Sequence, residues 1–280
     1  MSKCKILFFA ANPKDTTQLQ LGEEVRGIDE AIQAAEFRDC FELEQAWATR
    51  PSDLAQNLLR YRPAIVHFSG HGSTAGEIIL QGDDGTTRPV APDALTSLFD
   101  ELKDRVRLVV FNACYSATQA AAVADKVGCT VGTNKAVGDK AAIIFAASFY
   151  QALAFERSVE SAFNLARTAL KLEGVPEDAT FELHVGAGVN ASMLKFVTPP
   201  GGQAPPVVPA QPLVRENLIK DLAGLTQGDF GMLVALIPGA GRVVNFLLPV
   251  PIQATMLSAW AESSKGPGLE TVARALANLP

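Results

Sequence analysis

The chain has 280 residues, room for one large domain and a smaller one. Hydrophobic residues make up 48% and charged residues 19%, which supports a sizeable packed core and excludes global disorder. A net charge of −6, from 24 basic and 30 acidic side chains, argues against a nucleic-acid binder that tracks phosphates with a basic face.

In chain order, the start MSKCKILFFAANPKD carries an apolar run at 5–11, too short for a signal-peptide core and without a cleavage region. A continuous run of this kind suits a central parallel strand. A helical pattern follows over 21–37, with Val25, Ile28, Ala31, Ile32 and Ala35 on one face. Residues 41–48 (FELEQAWA) alternate like a strand with one exposed face, and 52–60 suit a helix capped by Ser52. The next strand is expected at 64–70. Segments 77–80 and 87–90 flank QGDDGT as a hairpin or loop insertion. A helix at 92–102, a buried strand at 106–113, a helix at 117–127 and a short strand at 129–132 come next. Helices at 140–155 and 159–173 and a strand at 181–185 complete the series. Alternation of this kind predicts an α/β fold, a mostly parallel sheet covered by helices on both faces. No stretch reaches the length of a membrane helix.

At Thr198 the composition changes to TPPGGQAPPVVPAQP, where proline removes donors and glycine adds chain entropy. The expected organisation is therefore a domain at 1–197, a linker at 198–212, and a second domain at 213–280. In the last part, IPGAGR, LPVPIQ and SSKGPGLE interrupt helical periodicity, which predicts a small all-α bundle of four or five helices.

Parallel sheets gather their sites at the carboxyl ends of the strands, and two reactive side chains fall there. His71 ends the strand IVHFSGHG, and Cys114 follows the strand in VVFNACYS. Imidazole changes charge most easily near neutral pH, and a cysteine needs such a partner because the thiolate is the nucleophile. Cys114 also precedes a helix, whose N-terminal dipole favours negative charge. Gly70 and Gly72 are expected to let the backbone turn sharply around His71. The N–H groups of Gly72 and Cys114 would then form an oxyanion hole, each donor worth roughly 10²–10³ in rate.

HFSGHG followed by FNACYS resembles the caspase-like peptidases of the CHAT type, within the caspase–separase–gingipain clan. The 43 residues between His71 and Cys114 are close to the roughly 50 of caspases. ILFFAANPKD, RPAIVHFSGHG, GDKAAIIFAASFYQALA and SVESAFNLAR extend the likeness over residues 3–197. The resemblance implies a caspase-like fold and a cysteine endopeptidase acting on a protein substrate. It makes His71 the general base, Cys114 the nucleophile and His67 the structural strand histidine. Relatives directed to Arg or Lys often have an acid two positions before the cysteine. Asn112 stands there in this chain, so a basic preference does not carry over. Asp139 is the candidate substrate-binding acid, its other reading being the N-cap of the following helix.

DFGMLVALIPGAGRVVN, VPIQATMLSAWAES and KGPGLETVARAL resemble the bacterial effector-associated domains, small death-like helical modules that bind their own kind. This implies adaptor or sensor partners bearing a matching helical domain, and a homo-oligomer on activation. The implied setting is a bacterial conflict or antiphage defence pathway.

His67, His71 and Cys114 lack a fourth zinc ligand, and ANPKD has no dinucleotide or Walker pattern, so neither a metal nor a cofactor is expected. Cys4, Cys40 and Cys129 lie in or beside apolar runs and read as core residues in a reducing cytoplasm, and Trp47 and Trp260 as packing residues. The main alternative is a catalytically inactive scaffold that keeps the caspase-like fold for binding. A further one is a nucleotide-cleaving domain using Glu23 or Glu24.

Overall fold

Runs of Ile, Leu, Val, Phe and Ala without a polar face can only be covered on both sides, and here they become the middle of a sheet. The computed structural model describes residues 3–197, 215–237, 240, 244, 249–261, 263, 271, 272 and 276. Two units divide the chain, residues 1–204 and 205–280.

The first unit holds eight strands: β1 (Cys4–Ala11), β2 (Phe41–Ala46), β3 (Ile65–Gly72), β4 (Ile78–Gln81), β5 (Thr87–Val90), β6 (Leu108–Asn112), β7 (Cys129–Thr133) and β8 (Phe181–Val185). The main order is β2-β1-β3-β6-β7-β8, parallel throughout except for antiparallel β8. The β4–β5 hairpin extends β3 at its far end.

Period-two alternation sorts the side chains of each strand between two cores. Ile6, Phe8 and Ala10 of β1 face α1 (Leu21–Gln33), α5 (Asp139–Ala154) and α6 (Val159–Leu172). Leu7, Phe9 and Ala11 face the other way, towards α2 (Pro51–Tyr61), α3 (Pro92–Glu101) and α4 (Ala117–Val127). Burying each such Leu or Phe contributes about 1.5–3 kcal/mol before entropy is counted. The α/β layering expected from the sequence is the one observed.

Local boundaries differ in ways that have reasons. Helix α2 begins at Pro51 with Arg50 at its N-cap, not Ser52, because the Asp53 carboxylate accepts the Arg50 N–H at 2.9 Å. Strand β2 stops at Ala46, two residues before Ala48 turns to a φ of 52°. Strand β3 runs on through His71 to Gly72, since β4 supplies pairing partners there: His71 with Ile79 and Gly72 with Ile78.

In the second unit the described helices are α7 (Arg215–Ala223), α8 (Gln227–Leu236) and α9 (Val250–Ala261). They share a core that includes Leu222, Phe230, Leu233 and Leu257, with Trp260 packed against it. Thr226 caps α8 by accepting the Asp229 N–H at 3.2 Å. The expected linker at 198–212 lies outside the described residues. Among the described residues no helix is long and apolar enough to cross a membrane.

Candidate active site

The spacing of the two reactive residues equals the register of their strands. β3 pairs β6 from Ile65↔Leu108 to Ser69↔Asn112, an offset of 43 residues, so His71 and Cys114 both lie just beyond the last of these pairs. Both side chains leave on the face of α1 and α5. His71, because it shares the alternation of Ile65, faces the core formed with those helices. The two residues line one cleft together with Leu21, Glu24, Ser69, Asn112, Val137 and Asp139.

The cysteine turn is braced from below. Ser116 donates its hydroxyl to the Phe111 carbonyl at 2.9 Å and accepts the Thr133 N–H at 3.0 Å. Thr133 in turn donates to the Ala113 carbonyl at 2.6 Å. Tyr115, directly after the cysteine, is held at a φ of 57°, a left-handed conformation that costs a non-glycine residue about 1–2 kcal/mol. The Cys114 Sγ accepts the Val137 N–H at 3.4 Å and, as a thiol, donates to the Val137 carbonyl at 3.8 Å.

Glycine is required beside His71 for space, not for a sharp turn. Neither Gly70 nor Gly72 is among the positive-φ glycines, and both lie within β3. A Cβ on Gly72 would collide with the Cys114 carbonyl oxygen and sit 3.2 Å from the Cys114 nitrogen. A Cβ on Gly70 would sit 2.7 Å from the Ala11 carbonyl oxygen. The Ser73 N–H donates to Glu77 O at 2.9 Å, so strand alternation turns the Gly72 N–H away from β4.

The imidazole of His71 is oriented by a residue that sequence reading did not single out. Its Nε2 lies 2.8 Å from the Thr17 carbonyl oxygen, which can only accept. Nε2 therefore carries a proton. Thr17 belongs to the loop after β1, two residues beyond the ANPKD segment.

The floor of the cleft is a buried polar network. Glu24 of α1, 3% exposed, accepts from three donors: His67 Nε2 and Asn112 Nδ2 at 2.7 Å on one oxygen, and Ser69 Oγ at 2.5 Å on the other. The second nitrogen of His67 meets the Tyr150 hydroxyl at 3.1 Å. Burial first, then the nearby Glu24 and Cys4, push the Tyr150 phenol well above its ordinary pKa, so it stays a donor. His67 is thus a satisfied core histidine, as its place in a strand implied. Glu24 is fully engaged and Glu23 is exposed and paired with Arg26, so neither is a free carboxylate over the cleft. Asn112 keeps one buried oxygen, Oδ1, without a partner.

Asp139 opens α5 as its first residue, with Gly138 at the N-cap, which corrects the capping alternative. Its carboxylate accepts the Gln20 N–H at 3.3 Å, and the residue lines the cleft. Thr17, Ser69, Tyr150 and Val137 are the participants that sequence reading missed. Ser69 had a visible signal: His67, Ser69 and His71 are polar residues two apart on an otherwise apolar strand, so they share a face.

The model of the CHAT domain matches residues 7–180. A Roc-COR-CHAT protease from an unknown prokaryotic organism is 26% identical over 181 residues, covering 62% of this chain and 17% of that protein. A probable protease of Gillisia limnaea is 23% identical over 150 residues, 53% of this chain and 26% of that one. A Roc-COR-CHAT protease of Runella zeae is 27% identical over 188 residues, 65% and 18% respectively. The chain thus spans about a sixth to a quarter of the length of the curated relatives it matches. Among solved structures, the Arg-specific cysteine proteinase gingipain R superposes with a TM-score of 0.47 at 10% identity, covering 68% of this chain and 47% of that one. The Drosophila initiator caspase Dronc does so at 0.46 and 12%, covering 65% and 80%.

Proposed function

The chain belongs to the CHAT domain family, and from that premise we propose that it is a cysteine endopeptidase with a His71–Cys114 dyad. The observation that supports this reading is that the β3–β6 register brings the ends of the two strands together and that His71 and Cys114 line one cleft there. Nδ1 of His71 takes the thiol proton of Cys114, and the sulfur attacks the scissile carbonyl carbon. The N–H groups of Gly72 and Cys114 receive the oxyanion. His71 then gives its proton to the leaving amine, and water, deprotonated by the same nitrogen, hydrolyses the thioester. Asp139 contacts the substrate side chain that enters the cleft.

The helical unit after the linker recruits this peptidase to an adaptor or sensor carrying a matching domain, and proximity or self-association switches it on in bacterial defence signalling. Support comes from the resemblance of that segment to effector-associated domains and from its separate core. The linker sets the effective concentration between the parts.

A peptide-library cleavage profile of the activated protein, with Cys114→Ala and His71→Ala as controls, tests the dyad. Each substitution is expected to remove cleavage by about 10⁴-fold or more while the fold persists. Cleavage surviving in either purified variant contradicts it, and no cleavage by the wild-type chain in its activated complex points to a scaffold. Deletion of 199–280 tests recruitment: unchanged control of activity in cells counts against it.

A further inference from the structure

We propose that Asp15 is a positioning residue for His71, acting through the Thr17 carbonyl. This rests on the dyad reading above for its functional consequence, but not for its geometry.

The loop between β1 and α1 is tied at three levels. At its base, Asn12 closes it reciprocally: Nδ2 donates to Leu19 O at 3.1 Å, and Oδ1 accepts the Leu19 N–H at 3.2 Å. At its tip, the Lys14 N–H donates to Gly85 O at 3.0 Å and Lys14 Nζ donates to Asp84 O at 2.7 Å. Between them, the Asp15 carboxylate accepts the Thr87 N–H at 2.9 Å and the Thr87 hydroxyl at 3.0 Å. Two residues beyond Asp15, the Thr17 carbonyl receives Nε2 of His71.

These contacts close a ring through the structure. His71 pairs with Ile79 of β4, and Gln81 of β4 pairs with Thr87 of β5. Thr87 holds Asp15, and Thr17 holds the His71 ring. The hairpin that extends the His71 strand is therefore the same frame that fixes the acceptor of its side chain. Strand pairing alone fixes the His71 backbone but leaves its ring free to turn about its side-chain torsions. Asp15 supplies the ionised member of the clasp, and hydrogen bonds to an ionised group are roughly twice as strong as neutral ones. Its side chain lies on the surface and contributes nothing to either core. A structural explanation from packing is therefore weak.

The chain has three histidines, so imidazole N–H protons can be followed individually by ¹⁵N-resolved NMR on the full-length protein. In the wild type, the His71 Nε2–H signal is expected to be protected from solvent exchange. In Asp15→Ala that protection falls at least tenfold, and in Asp15→Asn, which keeps one acceptor, it falls by less. The His67 Nε2–H signal, held by buried Glu24, stays unchanged in both and serves as the folding control. The cleavage readout follows: kcat decreases about tenfold in Asp15→Ala with KM little altered, and the Asn variant recovers part of it, a tenfold change being about 1.4 kcal/mol. Equal protection of His71 in wild type and Asp15→Ala overturns the proposal. If the wild type neither cleaves peptides nor reacts at Cys114, the peptidase reading fails while the NMR comparison still decides the role of Asp15.

Discussion

β3 carries two histidines four residues apart on one face, and they have opposite fates. His67 is fully buried, with Glu24 on one nitrogen and Tyr150 on the other. His71, on the partly exposed end of the strand, has one nitrogen fixed by Thr17 and the other uncommitted. Cysteines divide the same way: Cys4 and Cys129 begin their strands, while Cys114 lies past the end of β6. Within the strands these side chains are thus chemically closed, and at or past the carboxyl ends His71 and Cys114 are open. Reactivity follows position along the strand, and residue type alone does not decide it.

Thiol labelling offers the largest contrast with which to break that comparison. Burial pushes the Cys4 thiol up to about 12 and the Cys129 thiol up to about 11, with Arg107 opposing both only in part. A raised thiol pKa means that thiolate forms only as pH approaches those values. At pH 8 the reactive fraction is about 10⁻⁴ for the first and about 10⁻³ for the second. Alkylation at pH 8, mapped by mass spectrometry in a Cys40→Ser background, is expected to modify Cys114 and spare the other two. Labelling of Cys4 or Cys129 as fast as Cys114 would remove the distinction between the two ends.

Stability gives the next contrast. Glu24→Ala strips the acceptor from His67, Ser69 and Asn112, and each buried donor left unpaired costs about 1–3 kcal/mol. His71→Ala removes a partly exposed side chain and is expected to change stability by about 0.5 kcal/mol or less. Urea unfolding of both variants checks the pair, and equal losses would show that the two histidines belong to one cooperative network. At Gly72, alanine forces the backbone away from the Cys114 carbonyl. A shift of about 1 Å there is expected to lower kcat about 10²-fold, more than it lowers affinity.

The open end was legible in the sequence because strand ends, glycines and reactive residues sit together in short words, HFSGHG and FNACYS. The 43-residue spacing even equals the strand register, although only pairing can show that. The closed end was legible in part. The resemblance implied a structural strand histidine at His67, but its partners lie 43 residues before it on α1 and 83 residues after it on α5. No local pattern announces such contacts. Glu24 entered the sequence reading only as a carboxylate for a nucleotide-cleaving alternative and is the buried acceptor of three donors, since burial of a helix face depends on what packs over it. Thr17 was hidden for another reason: it acts through its carbonyl oxygen, a group every residue has, so nothing in its side chain marks the role.

Tyr150 is the finest test of the closed end. Its hydroxyl completes His67 from α5, and Tyr150→Phe removes that hydroxyl while keeping the ring that packs against Phe149. One buried nitrogen then loses its partner, at a cost of about 1–2 kcal/mol. The imidazole keeps Glu24, so the Ser69 and Asn112 bonds to that carboxylate persist and the cleft above them is unaltered. Urea unfolding should therefore report a small loss, while Cys114 alkylation keeps its wild-type rate. A fall in that rate comparable to the fall in stability would mean that the two histidines of β3 communicate, and the division between its closed and open ends would have to be abandoned.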